Sequence, residues 1–165
     1  MSVARMILAA LIVFVLQITV ANEISIAGVS PDLIVVLLIL LITDRDPVSA
    51  VVIGFLLGFL QDLGNASFLG MNALAKSIVA YGVSRLGGDF LPESIVFRAL
   101  LIVAASLVND IIVLIVTTGF DVIEIIASFF RYSILSAVYG GIVGLIAMVV
   151  VKIMGPRVVR SRGGY

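Results

Sequence analysis

The 165-residue sequence contains no cysteine and no histidine. Disulfides, thiol nucleophiles and thiolate or imidazole metal sites are therefore excluded, which closes zinc, haem and iron–sulfur chemistry and leaves carboxylates as the ligands available to a hard cation. Charge is scarce as well: Asp, Glu, Lys and Arg make up 12% of the chain, against roughly 25% in soluble domains. Net charge is zero, so no global field points to nucleic acid or to an acidic partner. What is abundant is apolar: 62% of residues are hydrophobic and mean hydropathy is +1.34. Such a surface needs lipid as its solvent. At about 20 apolar residues per crossing, the length allows about six or seven crossings and leaves no room for a soluble domain.

Six apolar segments follow one another, at 6–21, 31–43, 47–60, 71–83, 95–118 and 123–151. Arg5 followed by the first of them has the outline of a secretory signal cleaved after Ala21. The run is long for a signal core, however, it carries Gln17 and Thr19, and further spans follow, so it reads as a retained first helix. The breaks carry helix-start punctuation. Ser30-Pro31-Asp32 combines a capping residue, a proline and an acid at a positive helix end, and Asp46-Pro47 and Pro92-Glu93 repeat the pattern. The second and third segments are short enough for a re-entrant hairpin. Their junction, Asp44-Arg45-Asp46-Pro47, would then bury three charges at mid-membrane, so two crossings are predicted, helped by local thinning of the bilayer or by flanking residues such as 24–29 extending the span.

The absence of basic residues from three loops sets the orientation. Loops 22–30, 61–70 and 119–122 contain neither Lys nor Arg, whereas Arg5, Arg45, Arg85, Arg98, Lys152, Arg157, Arg160 and Arg162 fall on the other side. This bias predicts both termini in the cytoplasm, with the tail 152–165 as a short basic extension beside anionic lipid. The expected fold class is an all-α integral membrane bundle of six transmembrane helices, forming a single polytopic domain.

Five charges remain at or near membrane depth: Asp32, Asp62, Lys76, Asp110 and Arg131. In the six-span arrangement Asp32 begins the second helix on the outer side and Asp62 ends the third there. Lys76 lies near the outer start of the fourth, Arg131 in the outer half of the sixth, and Asp110 about mid-depth in the fifth beside Asn109. One reading is an outward-opening polar cavity for a solute, a proton or a partner's polar residue. The other is a set of structural ion pairs such as Asp62 with Lys76 and Asp110 with Arg131, favoured because charges in lipid persist mainly when paired. Asp32 has the simpler role of a first-turn acid.

Gly54-x-x-x-Gly58 and Gly140-x-x-x-Gly144 allow close approach of helix backbones, either inside the bundle or as docking faces for a partner helix. Catalysis finds no constellation. The carboxylates are dispersed singly over different helices, no serine has a histidine, and an aspartate dyad would require Asp62 and Asp110 to meet from different depths. No cofactor or metal is implied.

Gly54-Phe55-Leu56-Leu57-Gly58-Phe59-Leu60-Gln61-Asp62, followed by Leu69-Gly70-Met71-Asn72-Ala73-Leu74 and preceded by Pro31-Asp32, resembles the bacterial rod shape-determining MreD family. The likeness in motifs covers residues 31–74; elsewhere it lies in length, span number and hydropathy. Pro31, Asp32, Gly54, Gly58, Asp62, Gly70 and Asn72 match the family pattern. The resemblance implies a non-enzymatic scaffold of the cell-elongation (rod) complex in the bacterial inner membrane. Such a scaffold pairs with the transmembrane helix and adjoining segment of MreC, and links indirectly to MreB, a RodA-type glycosyltransferase and a class B penicillin-binding protein in peptidoglycan synthesis. It also implies a six-helix fold similar to the substrate-binding subunits of energy-coupling-factor vitamin transporters, which makes such a subunit the alternative function. The first helix lacks the Ala-x-x-x-Ala pair by which those subunits dock, which weighs against that alternative.

Overall fold

The computed structural model describes residues 3–23, 29–43, 45–64, 68–87 and 94–154, with side chains within 4–19, 29–43, 45–64, 68–86 and 94–150. The described residues are almost entirely helical. They form α1 (Val3–Glu23), α2 (Leu33–Ile42), α3 (Pro47–Leu63), α4 (Met71–Gly87), α5 (Ile95–Thr117), α6 (Val122–Ser128) and α7 (Ile134–Met154). A π-helical turn, Phe129–Ser133, joins α6 and α7 into one rod. The six apolar segments thus become six rods. Pro92-Glu93, the junction residue Asp44 and the basic tail beyond Met154 lie outside the described residues.

Two rods, Ile95–Thr117 and Val122–Val150, are long and apolar enough to cross a membrane. α2 is different. Ten residues rise about 15 Å, half the thickness of the hydrocarbon. Its sequence, Leu-Ile-Val-Val-Leu-Leu-Ile-Leu-Leu-Ile, is apolar all round, the signature of a helix buried on every side. The bundle meets that demand: α1, α3, α4, α5 and α7 all pack against α2. Ile34, Val35, Val36, Leu38, Ile39 and Ile42 form the centre of the core. The short helix that was read as a crossing has a central place, wrapped by longer ones.

The extended segment leading into α2 is also buried, at Val29 and Pro31, and its backbone needs partners there. Gln17 of α1 supplies them twice, its amide donating to the Pro31 carbonyl (3.2 Å) and its carbonyl oxygen accepting from the Leu33 N–H (2.7 Å). The Ser136 hydroxyl of α7 donates to the Ser30 carbonyl (3.2 Å). Asp32 then caps α2, accepting from the Ile34 and Val35 N–H groups at 3.0 Å each. Asp46 does the same for α3, accepting from Ser49 N–H at 3.0 Å, a bond that holds its carboxyl below the ordinary carboxylate range.

The tightest pairing is between α3 and α4. A Cβ at Gly54 would lie 2.6 Å from the Lys76 carbonyl oxygen and 2.9 Å from Ala80 Cβ, while one at Gly58 would collide with the Asn72 carbonyl and lie 2.5 Å from Ala73 Cα. Both glycines are therefore filled by the backbone of α4, and that face is closed to an outside helix. Gly140 and Gly144 of α7 also turn inward, towards Ser106 and Ile102 of α5 and Val36 of α2.

Candidate functional site

The polar residues of the described structure gather in two places. The first is the end of α3, where Gly54, Gly58 and Asp62 recur every four residues and so share the face that meets α4. Asp62 is 1% exposed, and its carboxylate accepts four hydrogen bonds: from Gly70 N–H (3.0 Å), Asn72 N–H (3.1 Å), the Asn72 side-chain amide (3.0 Å) and Ala73 N–H (3.0 Å). It acts as the N-cap of α4, supplied from the preceding helix, and satisfies donors that the first turn of any helix leaves open. Gly70, at φ +91°, makes the turn that brings those donors round, a conformation that a Cβ would strain.

The second is a buried cluster where the start of α2 meets α4 and α5. Lys76, fully buried, donates to the Asp32 carboxylate at 3.0 Å and to the Asn109 side-chain carbonyl at 3.4 Å. It is the sole ion pair among the described residues. Asp110 stands beside it, accepting from the Asn109 amide at 3.4 Å and from the Ser133 hydroxyl. The Gln61 amide approaches Asp32 from α3, and its buried Oε1 accepts no hydrogen bond.

Two expected pairings are thereby corrected. Lys76 meets Asp32 and not Asp62, because the loop and first turn of α4 saturate the Asp62 carboxylate while Lys76 lies more than a turn further along α4, against the start of α2. Arg131 does not meet Asp110. The π turn directs Ser133 inward, and Arg131 is exposed, its guanidinium 5.3 Å from the Tyr132 ring centroid. Of the five charges singled out in the sequence, three, Asp32, Lys76 and Asp110, are brought together. Asp62 is committed to a helix terminus, and Arg131 lies on the outside.

The sequence reading did not include Gln17, Gln61 or Ser133 among its site residues, and mentioned Asn109 only as a neighbour. The available signal was that each is a polar side chain within or at the end of an apolar run, where an unpaired hydrogen-bonding group is costly.

The family model for rod shape-determining protein MreD matches residues 2–154. The chain belongs to the MreD family. Its match extends far beyond residues 31–74, where the motifs lie, and reaches through the π turn into α7. MreD proteins are rod shape-determining membrane proteins, and the two long apolar rods fit membrane insertion. No curated protein and no solved structure matches the chain. The glycines, Asp62, Gly70 and Asn72 that carried the resemblance form a single structural unit, the lock between α3 and α4.

Proposed function

We propose that this MreD-family chain is a multi-pass scaffold of the rod complex in the bacterial inner membrane, binding MreC and organising peptidoglycan synthesis without catalysing a reaction. In this reading all six rods form one membrane domain with both termini in the cytoplasm, and the lack of Lys and Arg in loops 22–30, 61–70 and 119–122 supports that orientation. MreB, a RodA-type glycosyltransferase and a class B penicillin-binding protein are reached through MreC.

One observation carries the docking site. Between α4 and α5 an almost wholly apolar groove of about 240 Å3 is lined by Ile78, Gly82, Leu86, Leu101, Ala104 and Val108. Gly82 has nothing within 4 Å of where a Cβ would lie. Small residues facing outward let a foreign helix approach closely, the role that Gly54 and Gly58 cannot play because α4 already occupies them. We assign the transmembrane helix of MreC to this groove.

Gly82→Leu tests the assignment, because its Cβ meets no neighbour and the rest of the side chain occupies the groove. The variant is expected to keep the thermal unfolding midpoint of the parent in mild detergent and to lose about tenfold or more of the MreC that copurifies, the equivalent of about 1.4 kcal/mol or more. Undiminished copurification would remove MreC from this groove.

A further inference from the structure

The cluster at the start of α2 is short of positive charge. Its members come from four elements: Asp32 at the cap of α2, Lys76 on α4, Asn109 and Asp110 on α5 and Ser133 on the π turn, with Gln61 of α3 alongside. The one ammonium is paired with Asp32, and Asp110, the residue after Asn109 in the middle of α5, has no cation within ion-pair distance among the described residues. The α2 N-terminus offsets about half a charge, and its N–H groups are spent on Asp32. No other cation reaches in: Arg131 is exposed and stacks near Tyr132, while Arg98 lies about three turns away along α5. Of the remaining titratable groups on the packed elements, Glu124 of α6 is exposed, Tyr139 lies on α7, and Asp62 is saturated by the α4 N-terminus. The cluster also lacks a hydrogen-bond donor, because Gln61 Oε1 is buried without one.

We propose that this cluster binds one proton, held on Asp110, and that the core of the bundle is a proton-binding site coupled to the packing of α2 on α5. Asp32 holds the Lys76 ammonium at 3.0 Å and two backbone N–H groups, which fixes it in the ionised form. The proton therefore resides on its neighbour, although the two carboxyls titrate as a pair. Protonation leaves one carboxylate for one ammonium and creates one O–H donor. Loss of the proton leaves two anions and one ammonium in the cluster at the junction of α2, α4 and α5. The folded bundle then holds a proton that a solvated carboxyl has already released at neutrality, so the stability of the bundle declines as pH rises.

The experiment is modification of the purified full-length protein in detergent by the hydrophobic reagent dicyclohexylcarbodiimide, which reacts with the protonated form of a buried carboxyl, read by peptide mass spectrometry. The expected result is an adduct on Asp110, rising about tenfold per pH unit on going from about pH 9 towards its midpoint. Exposed Asp121 and Glu124 are expected to remain unmodified, sodium is expected to have no effect, and Asp110→Asn is expected to leave no adduct. Infrared spectroscopy gives a second reading that needs no reagent access: a protonated-carboxyl C=O band that is absent in Asp110→Asn. The same variant, an isostere of the protonated acid, is expected to keep the parent's unfolding midpoint at about pH 6 and to remove its fall towards about pH 9. Absence of the infrared band, protection of Asp110 by sodium at fixed pH, or a destabilised Asp110→Asn protein would each overturn the proposal. None of these outcomes bears on MreC binding.

Discussion

Asp62 accepts four hydrogen bonds, and each comes from the loop or first turn that opens α4. Truncating it would leave buried donors unsatisfied at about 1–3 kcal/mol for each one that water cannot reach. Asp62→Ala is therefore expected to lower bundle stability by about 2–4 kcal/mol, with Asp62→Asn intermediate, as read from the unfolding midpoint in detergent. Lys76 and Asp32 behave differently because they depend on each other. Lys76→Met alone leaves a buried anion and is expected to cost about 3–5 kcal/mol, whereas adding Asp32→Asn removes that anion and keeps the cap, recovering most of the loss. An additive double variant would show that the two side chains do not interact. At this scale the sequence was partly legible. The helix starts at Ser30-Pro31-Asp32 and Asp46-Pro47 were identified because capping is a local interaction, but Ser30 was read as the cap of α2 and Asp32 as a first-turn acid, whereas Asp32 is itself the N-cap. The partner of Lys76 was not legible, since nothing in the order of residues shows that a half-length helix begins at its depth.

At the scale of elements, α2 and the α3–α4 pair carry the architecture. The uniform hydrophobicity of α2 over ten residues fits burial on every side, and its shortness was read as a crossing helped by thinning or by flanking residues; its central place among longer rods is what the order of residues did not show. Length and periodicity cannot separate a short crossing from a wrapped core helix when the surrounding solvent is itself apolar. Gly54 and Gly58 were left open between packing and docking, and the structure places both against α4 backbone. Gly58→Ala is expected to force α3 and α4 apart at about 1–3 kcal/mol or more, because the obstructing atoms are backbone. Loss of MreC binding in that variant should track loss of folded protein, as measured by size-exclusion recovery. MreC binding that fails in a fully folded Gly58→Ala bundle would contradict the packing role. The π turn had no sequence signal at all; its effect is to turn Ser133 into the cluster and leave Arg131 outside, which a regular helical spacing does not anticipate.

Within the bundle the polarity turns inward. Among the described residues Lys76 meets Asp32 and Asn109, Asp62 is taken up by the start of α4, and much of the outer surface is Ile, Leu, Val and Phe. A chain built in this way meets partners through lipid-facing surfaces, and the groove of α4 and α5 is the place where small residues make such a meeting close. The most direct test is photo-crosslinking in cells, with a benzophenone amino acid at Ala104 in the groove and, for comparison, at Ile12 on the exposed side of α1. The account predicts an adduct with the transmembrane segment of MreC from position 104 and none from position 12. MreC captured from position 12, with position 104 silent, would contradict it.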